Sequence, residues 1–353
     1  MSERVIDLRS DTLTLPTEEM LRSIATARLG DDSRDGDPTV VELEHLAASM
    51  LGKEAALLTV SGTMSNLLAL RTHCEAGAAA IVEESAHLYG MEFGGLAAAC
   101  GLLVLPVPGR RGAVDLEGLR MAARKAASGF PARGVVCLEN THNAAGGAVI
   151  PPEHVDRCAG IAHANGLPVH LDGARIFNAA VALGVEAHVL AASADSVSCC
   201  LSKGLSAPVG SLLAGRKEFV DRARKVRRAF GGTMRQAGII AAPGIVALKT
   251  MVGRLAEDHR HARLLGERLA PLPGLRVDLE TVQSNMVNAD VAALGIDAAT
   301  FARHLDALGV RGLPGLGTVV RFVTYRGITE ADVLKAAEAV EAVVVARPWA
   351  AGV

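Results

Sequence analysis

Lys203 closes an apolar run, in Leu201-Ser202-Lys203-Gly204. Asp172 closes another, in His170-Leu171-Asp172-Gly173-Ala174-Arg175. Upstream, Ser61-Gly62-Thr63 separates the strand-like stretch Ala55–Val60 from a helical pattern. Each residue type suits a different part of one kind of chemistry. A partly desolvated lysine amine is a nucleophile that condenses with a carbonyl carbon. A carboxylate at the end of a buried strand is costly unless a cation meets it. The amides and hydroxyl of a Gly-Thr turn at a helix start suit a phosphate, which the helix dipole also favours. Taken singly, these are an exposed lysine, a helix-capping aspartate and an ordinary capped turn. Taken together, they match a single ligand, pyridoxal 5′-phosphate, held at its aldehyde carbon, its ring nitrogen and its phosphate.

Histidine and arginine complete the set. His87 closely follows the strand-like Ala79–Val82 and has Tyr89 and Glu92 as neighbours. His142 lies in Glu139-Asn140-Thr141-His142-Asn143, directly after the apolar Val135–Leu138. An imidazole in either place can stack on a pyridine face or take a hydroxyl proton. His170, inside a strand beside Asp172, is expected to be a core or supporting residue. The other eight histidines, His73 among them, fall in helical patterns as surface or packing residues. Arg175 follows Asp172 by one helical turn, and Arg321 interrupts the apolar Val319-Val320-Arg321-Phe322-Val323. A planar guanidinium fork suits a substrate carboxylate, or for Arg321 a structural ion pair. Dinucleotide and P-loop fingerprints are lacking.

The elements that must position these residues alternate. Strand-like runs at Ala55–Val60, Ala79–Val82, Leu102–Val107, Val135–Leu138, Leu167–Leu171, Ser196–Leu201 and Val209–Leu213 are separated by helical patterns. The helices are expected at Thr63–Cys74, Gly90–Ala99, Leu116–Ala127 and Pro152–Asn165. Apolar strands alternating with helices predict an α/β domain with a mostly parallel central sheet. The last two runs are close enough for an antiparallel hairpin turning at Leu205–Ala207. Asp37-Pro38 predicts a capped helix start after the polar loop Gly30–Gly36. A long helix over 236–269 then leads to a smaller α+β unit. Its strands are expected at Leu275–Asp278, Met286–Asp290 and Val319–Thr324, with helices at Ala298–Leu308 and Thr329–Val345. The expected division is an N-terminal arm and helix (1–29), a large coenzyme-binding domain (30–250) and a small domain (251–353).

Composition narrows the classes. The chain has 353 residues, half of them apolar, with 36 basic and 38 acidic residues and a net charge of −2. That balance argues against a polyanion-binding surface. The basic stretch Arg222–Arg228 is expected to be a solvated helix face. Six cysteines without metal spacing fit buried free thiols in a reducing compartment. With no apolar signal stretch and no apolar run long enough to span a bilayer, the expectation is a soluble cytoplasmic protein with no nucleic-acid or membrane partner and no metal.

In order and spacing, nearly the whole chain resembles the low-specificity L-threonine aldolases. The matching runs are Asp7-Leu8-Arg9-Ser10-Asp11-Thr12, Gly30-Asp31-Asp32, Asp37-Pro38-Thr39-Val40, Ser61-Gly62-Thr63 and Glu139-Asn140-Thr141-His142-Asn143. They continue with Asp172 to Asn178, Leu201-Ser202-Lys203-Gly204 and Met234-Arg235-Gln236. The resemblance implies pyridoxal-phosphate fold type I, like aspartate aminotransferase. It also implies cleavage of L-threonine, L-allo-threonine and related β-hydroxy-α-amino acids to glycine and an aldehyde. By that resemblance Lys203 bonds the coenzyme, Asp172 holds its ring nitrogen, and His87 stacks on the ring. Gly62, Thr63 and Arg235 bind its phosphate, Arg235 from a neighbouring subunit. Ser10, Arg175 and Arg321 hold the substrate carboxylate, with Arg175 also near the coenzyme. His142 or His87, or a water between them, takes the β-hydroxyl proton. A homotetramer, a dimer of dimers with shared sites, is implied too.

The chain departs from the family pattern in three places. Arg34 stands where the loop usually has tyrosine, Tyr325 where Val-Thr is usually followed by histidine, and Thr233 where a third glycine usually precedes Met234. Arg34 is either a solvent-facing loop arginine or a residue selecting an acidic β-substituent, as in 3-hydroxyaspartate. Phenylserine is another candidate substrate. The rival reactions on the same fold are β-elimination and transamination; a rival of another kind is a silent coenzyme-binding scaffold.

Overall fold

The computed structural model describes residues 4–128, 133–315 and 317–349. They form two compact units. The larger takes Leu15–Ala144 and Val149–Gly253; the smaller takes the described residues of Met1–Thr14, Ala145–Ala148 and Arg254–Val353. The expected N-terminal arm thus divides at residue 14. Its first part groups with the C-terminal residues because Ile6–Asp7 pairs in parallel with Val310–Arg311. No single helix among the described residues is long and apolar enough to cross a membrane.

The larger unit is built on seven strands: β1 (Ala55–Thr59), β2 (Ala79–Glu83), β3 (Leu103–Val107), β4 (Gly134–Glu139), β5 (Val169–Asp172), β6 (Ser196–Cys200) and β7 (Ser211–Gly215). Their order is β1-β7-β6-β5-β4-β2-β3. All run one way except β7, which is antiparallel to β1 and β6, so the expected hairpin forms. Strands β2, β4, β5, β6 and β7 are buried throughout, which is why they read as continuous apolar runs. The outer strand β3 carries Pro106, which an edge tolerates.

Helix Pro38–Met50 starts where Asp37-Pro38 predicted. Asp37 Oδ1 accepts from the N–H groups of Thr39 and Val40 at 3.0 and 3.2 Å, while Oδ2 accepts from Gly30 and Gly238 at 3.0 and 2.9 Å. One buried carboxylate therefore fixes a helix start, the polar loop and a second helix.

Several expectations need correction. The helix expected over Gly90–Ala99 is two short ones, His87–Gly90 and Gly95–Ala98, because Phe93 and Gly94 take positive φ between them. The long helix over 236–269 is interrupted. Gly238–Val246 runs into a π-helical turn at Ala247–Met251, and a new helix, Leu255–Leu269, starts after Gly253. The expected strand Leu275–Asp278 is a single bridge between Arg276 and Asp290. The basic stretch Arg222–Arg228 is not simply a solvated face. It lies on helix Lys217–Ala229, where Arg227 is buried with Nη2 2.6 Å from Asp32 and Nη1 2.8 Å from the Leu58 carbonyl. Arg224 pairs with Glu44 at 2.7 Å. All six cysteines are buried free thiols.

The smaller unit has the expected α+β form. Met286–Asp290 and Leu313–Pro314 flank Val319–Val323, both antiparallel to it. Its apolar core gathers Leu265, Phe301, Phe322 and Val340 from helices Leu255–Leu269, Ala298–Asp306 and Glu330–Ala346 and from the sheet.

Candidate active site

The candidate residues of the larger unit follow the C-terminal ends of its parallel strands, the edge at which open α/β sheets carry ligands. Helix Gly62–His73 ties two anchors together. At its start, a Cβ on Gly62 would sit 2.7 Å from Cys200 Sγ, so only glycine lets the turn approach the end of β6, three residues before Lys203. Ser61 Oγ accepts from Met64 N at 3.1 Å and Ser61 O from Ser65 N at 3.1 Å. The Gly62 and Thr63 N–H groups are left directed out of the helix end, as a phosphate requires. One turn on, Asn66 Nδ2 donates to Asp172 Oδ2 at 2.8 Å.

Asp172 is buried at the end of β5 and also accepts from Ala174 N at 3.0 Å. Glu92 shares the corner. Its Oε1 accepts from Asn66 Nδ2 at 2.9 Å and lies 3.0 Å from His87 Nδ1, while its buried Oε2 has no hydrogen-bond partner among the described residues. Ligand atoms of His87, Glu92 and Asp172 lie within 4.8 Å of one another. The hydrogen bond to Glu92 raises the His87 pKa above its ordinary value, outweighing burial. Two buried carboxylates side by side call for a positive group, and no lysine or arginine among the described residues pairs with Asp172. A protonated pyridine nitrogen meets that need. Lys203 is half-buried, and its amine has no hydrogen-bond or ion-pair partner among the described residues. The donor set therefore fits pyridoxal phosphate.

Glu139 organises the neighbouring loops. Its Oε2 accepts from His87 N at 2.6 Å and its Oε1 from Asn143 N at 2.7 Å. Asn143 Oδ1 accepts in turn from Nη1 of the buried Arg175 at 3.3 Å. His142 is enclosed, with 1% of its side chain exposed and Nε2 3.1 Å from Glu83. A Cβ on Gly112 would fall 2.3 Å from its ring. Burial lowers the His142 pKa, but Glu139 and Glu83 more than reverse this and raise it. By contrast, the His87 side chain is 29% exposed.

The other candidates lie elsewhere. Arg34 is mostly exposed and 3.7 Å from Asp31. Arg235, also exposed, donates to Ser33 Oγ on the same loop. Ser10 and Arg321 belong to the smaller unit. Ser10 Oγ caps the short turn Asp11–Leu13, accepting from Thr12 N at 3.2 Å and from Thr12 Oγ1 at 2.8 Å. Arg321 Nη2 donates to the Arg9 carbonyl at 3.3 Å. Sequence reasoning missed Asn66 and Glu139 as site residues and noted Glu92 only as a neighbour of His87. The one available signal was a glutamate closing the otherwise apolar run of β4.

Fold and site together define an α/β enzyme of the pyridoxal-phosphate fold type I class. The family model described as beta-eliminating lyase matches residues 7–292. Low-specificity L-threonine aldolase 1 of Arabidopsis thaliana is 39% identical over 338 residues, 94% of each chain. The low specificity L-threonine aldolase of Escherichia coli K12 is 39% identical over 336 residues, covering 94% of this chain and 97% of that one. The threonine aldolase structure from Leishmania major matches with a TM-score of 0.81 at 18% identity, covering 96% of this chain and 99% of that one, a likeness of fold. The chain belongs to the low-specificity L-threonine aldolase family.

Proposed function

We propose that this chain cleaves L-threonine, L-allo-threonine and related β-hydroxy-α-amino acids to glycine and an aldehyde, with the following division of labour. When bound, pyridoxal phosphate supplies an electron sink for the pair left by the breaking Cα–Cβ bond. Lys203 holds it through the amine, Asp172 balances its ring nitrogen, and the Gly62 and Thr63 N–H groups take its phosphate. Arg175 orients the substrate carboxylate, which fixes the bond that breaks by fixing the substrate's rotation. His87 takes the β-hydroxyl proton. It is preferred to His142 because it is the more exposed ring and Glu92 occupies its Nδ1, leaving Nε2 for the proton. The raised pKa makes it a stronger acceptor. Arg235 reaches the phosphate of a neighbouring subunit in a homotetramer.

The observation that carries this reading is the buried corner of Asp172, Glu92 and His87 with its unpartnered carboxylate oxygen. The test is product analysis with L-threonine. Glycine and acetaldehyde in equal amounts are expected. A 2-oxo acid with ammonia would indicate β-elimination, and a new amino acid would indicate transamination; either would replace the proposal.

A further inference from the structure

Behind Asp172 lies a row of polar side chains, buried at Asn66, His170, Ser198 and Ser196 and half-buried at His73, that touch neither coenzyme nor substrate in the reading above. Their proton positions follow from the chemistry of the two carboxylates. A carboxylate only accepts, so both amide hydrogens of Asn66 are committed, one to Asp172 at 2.8 Å and one to Glu92 at 2.9 Å. Asn66 Oδ1 therefore accepts, from Ser198 Oγ at 2.9 Å and from His170 Nε2 at 3.1 Å. His170 must then carry its proton on Nε2, which leaves Nδ1 to accept the Ser196 hydroxyl hydrogen at 2.9 Å. The Ser196 oxygen is left to accept from His73 Nε2 at 2.8 Å, at the last residue of the helix that Asn66 shares. Reversing the Asn66 amide would set its oxygen against two carboxylates. This assignment satisfies each of these side-chain contacts. Burial supports it by pushing the His170 pKa down to about 4 and that of His73 to about 3, so both rings are neutral.

We propose that His73, Ser196, His170 and Asn66 form a one-directional hydrogen-bond chain that positions Asp172 and Glu92 together. Through them it sets the coenzyme ring nitrogen and His87, so this inference rests on the coenzyme reading above. These are positioning residues. The Asn66 amide passes no proton, so the row orients and does not conduct. Because one amide serves both carboxylates, a shift at Ser196 reaches both ends of the coenzyme contact.

The test is Ser196→Ala, which touches neither carboxylate, beside Asn66→Leu, which removes both donors. In the coenzyme-free wild type labelled with 15N-histidine, NMR is expected to show His170 and His73 as neutral rings protonated at Nε2. In Ser196→Ala, His170 is expected to become a mixture of tautomers and the coenzyme Kd to rise about fivefold, the scale of one hydrogen bond. Asn66→Leu is expected to raise the Kd further. Wild-type His170 protonated at Nδ1 would overturn the proposal. So would a folded Ser196→Ala with lower Tm but an unchanged tautomer and Kd. The tautomers are read without coenzyme. A wild type that binds none would therefore overturn the functional reading alone, and the direction of the chain would still be tested.

Discussion

Glu92 decides what kind of base His87 is. Its carboxylate is the main cause of the raised His87 pKa, so Glu92→Gln is expected to lower that pKa in an NMR titration. The same change is expected to cut kcat/KM by about tenfold, the scale of losing one charge-assisted hydrogen bond. Arg34 tests a different idea. Exposed and facing Asp31, it is expected to leave the preference between L-threonine and 3-hydroxyaspartate within about twofold when changed to tyrosine, since exposed pairs are worth little. A tenfold change in the ratio of kcat/KM values would place Arg34 in substrate selection. Lys203, Asp172 and Gly62-Thr63 were legible in the sequence because each stands where an apolar run ends. Asn66 was not. Its role exists through partners 26 to 132 positions away, brought beside it by the fold.

Among the elements, helix Pro38–Met50 shows the most legible local code and the largest consequence. Asp37 accepts four N–H bonds in all, two from its own helix and two from Gly30 and Gly238. Asp37→Ala is expected to cost about 3 kcal/mol, a lost cap plus buried amides without acceptors, read as a lower urea midpoint. A loss below about 1 kcal/mol would mean water replaces the carboxylate there. The parallel strands were legible because burial on both faces leaves uninterrupted apolar runs. The helix breaks at Phe93-Gly94 and near Gly253 were hidden, because a helical pattern continues across them and only backbone conformation reveals the interruption. Arg227 was hidden for another reason. A basic run looks solvated until Asp32, far away in sequence, is found against it.

At the scale of the molecule, histidines that the fold keeps neutral couple stability to pH. Unfolded histidine protonates near 6.5, whereas in the fold His170 holds out to about 4 and His73 to about 3. Their contribution is complete above pH 6.5 and is lost as pH falls toward 4, at about 1.4 kcal/mol per pH unit for each ring. Urea unfolding at pH 7.5, 6 and 5 is expected to show that slope, and His73→Phe to reduce it by one ring's share. An unchanged slope would mean that His73 titrates normally in the fold. The proposed sharing of sites between subunits makes a second prediction: Lys203→Ala and Arg235→Ala, inactive alone, are expected to regain measurable activity when refolded together. No recovery would leave Arg235 serving its own subunit or none. All of this chemistry depends on the bond at Lys203, which peptide mapping after borohydride treatment of the coenzyme-loaded protein reads out. Coenzyme is expected fixed to Lys203, one per chain, and none in Lys203→Ala; coenzyme on another lysine, or on none, would overturn the assignment of Lys203.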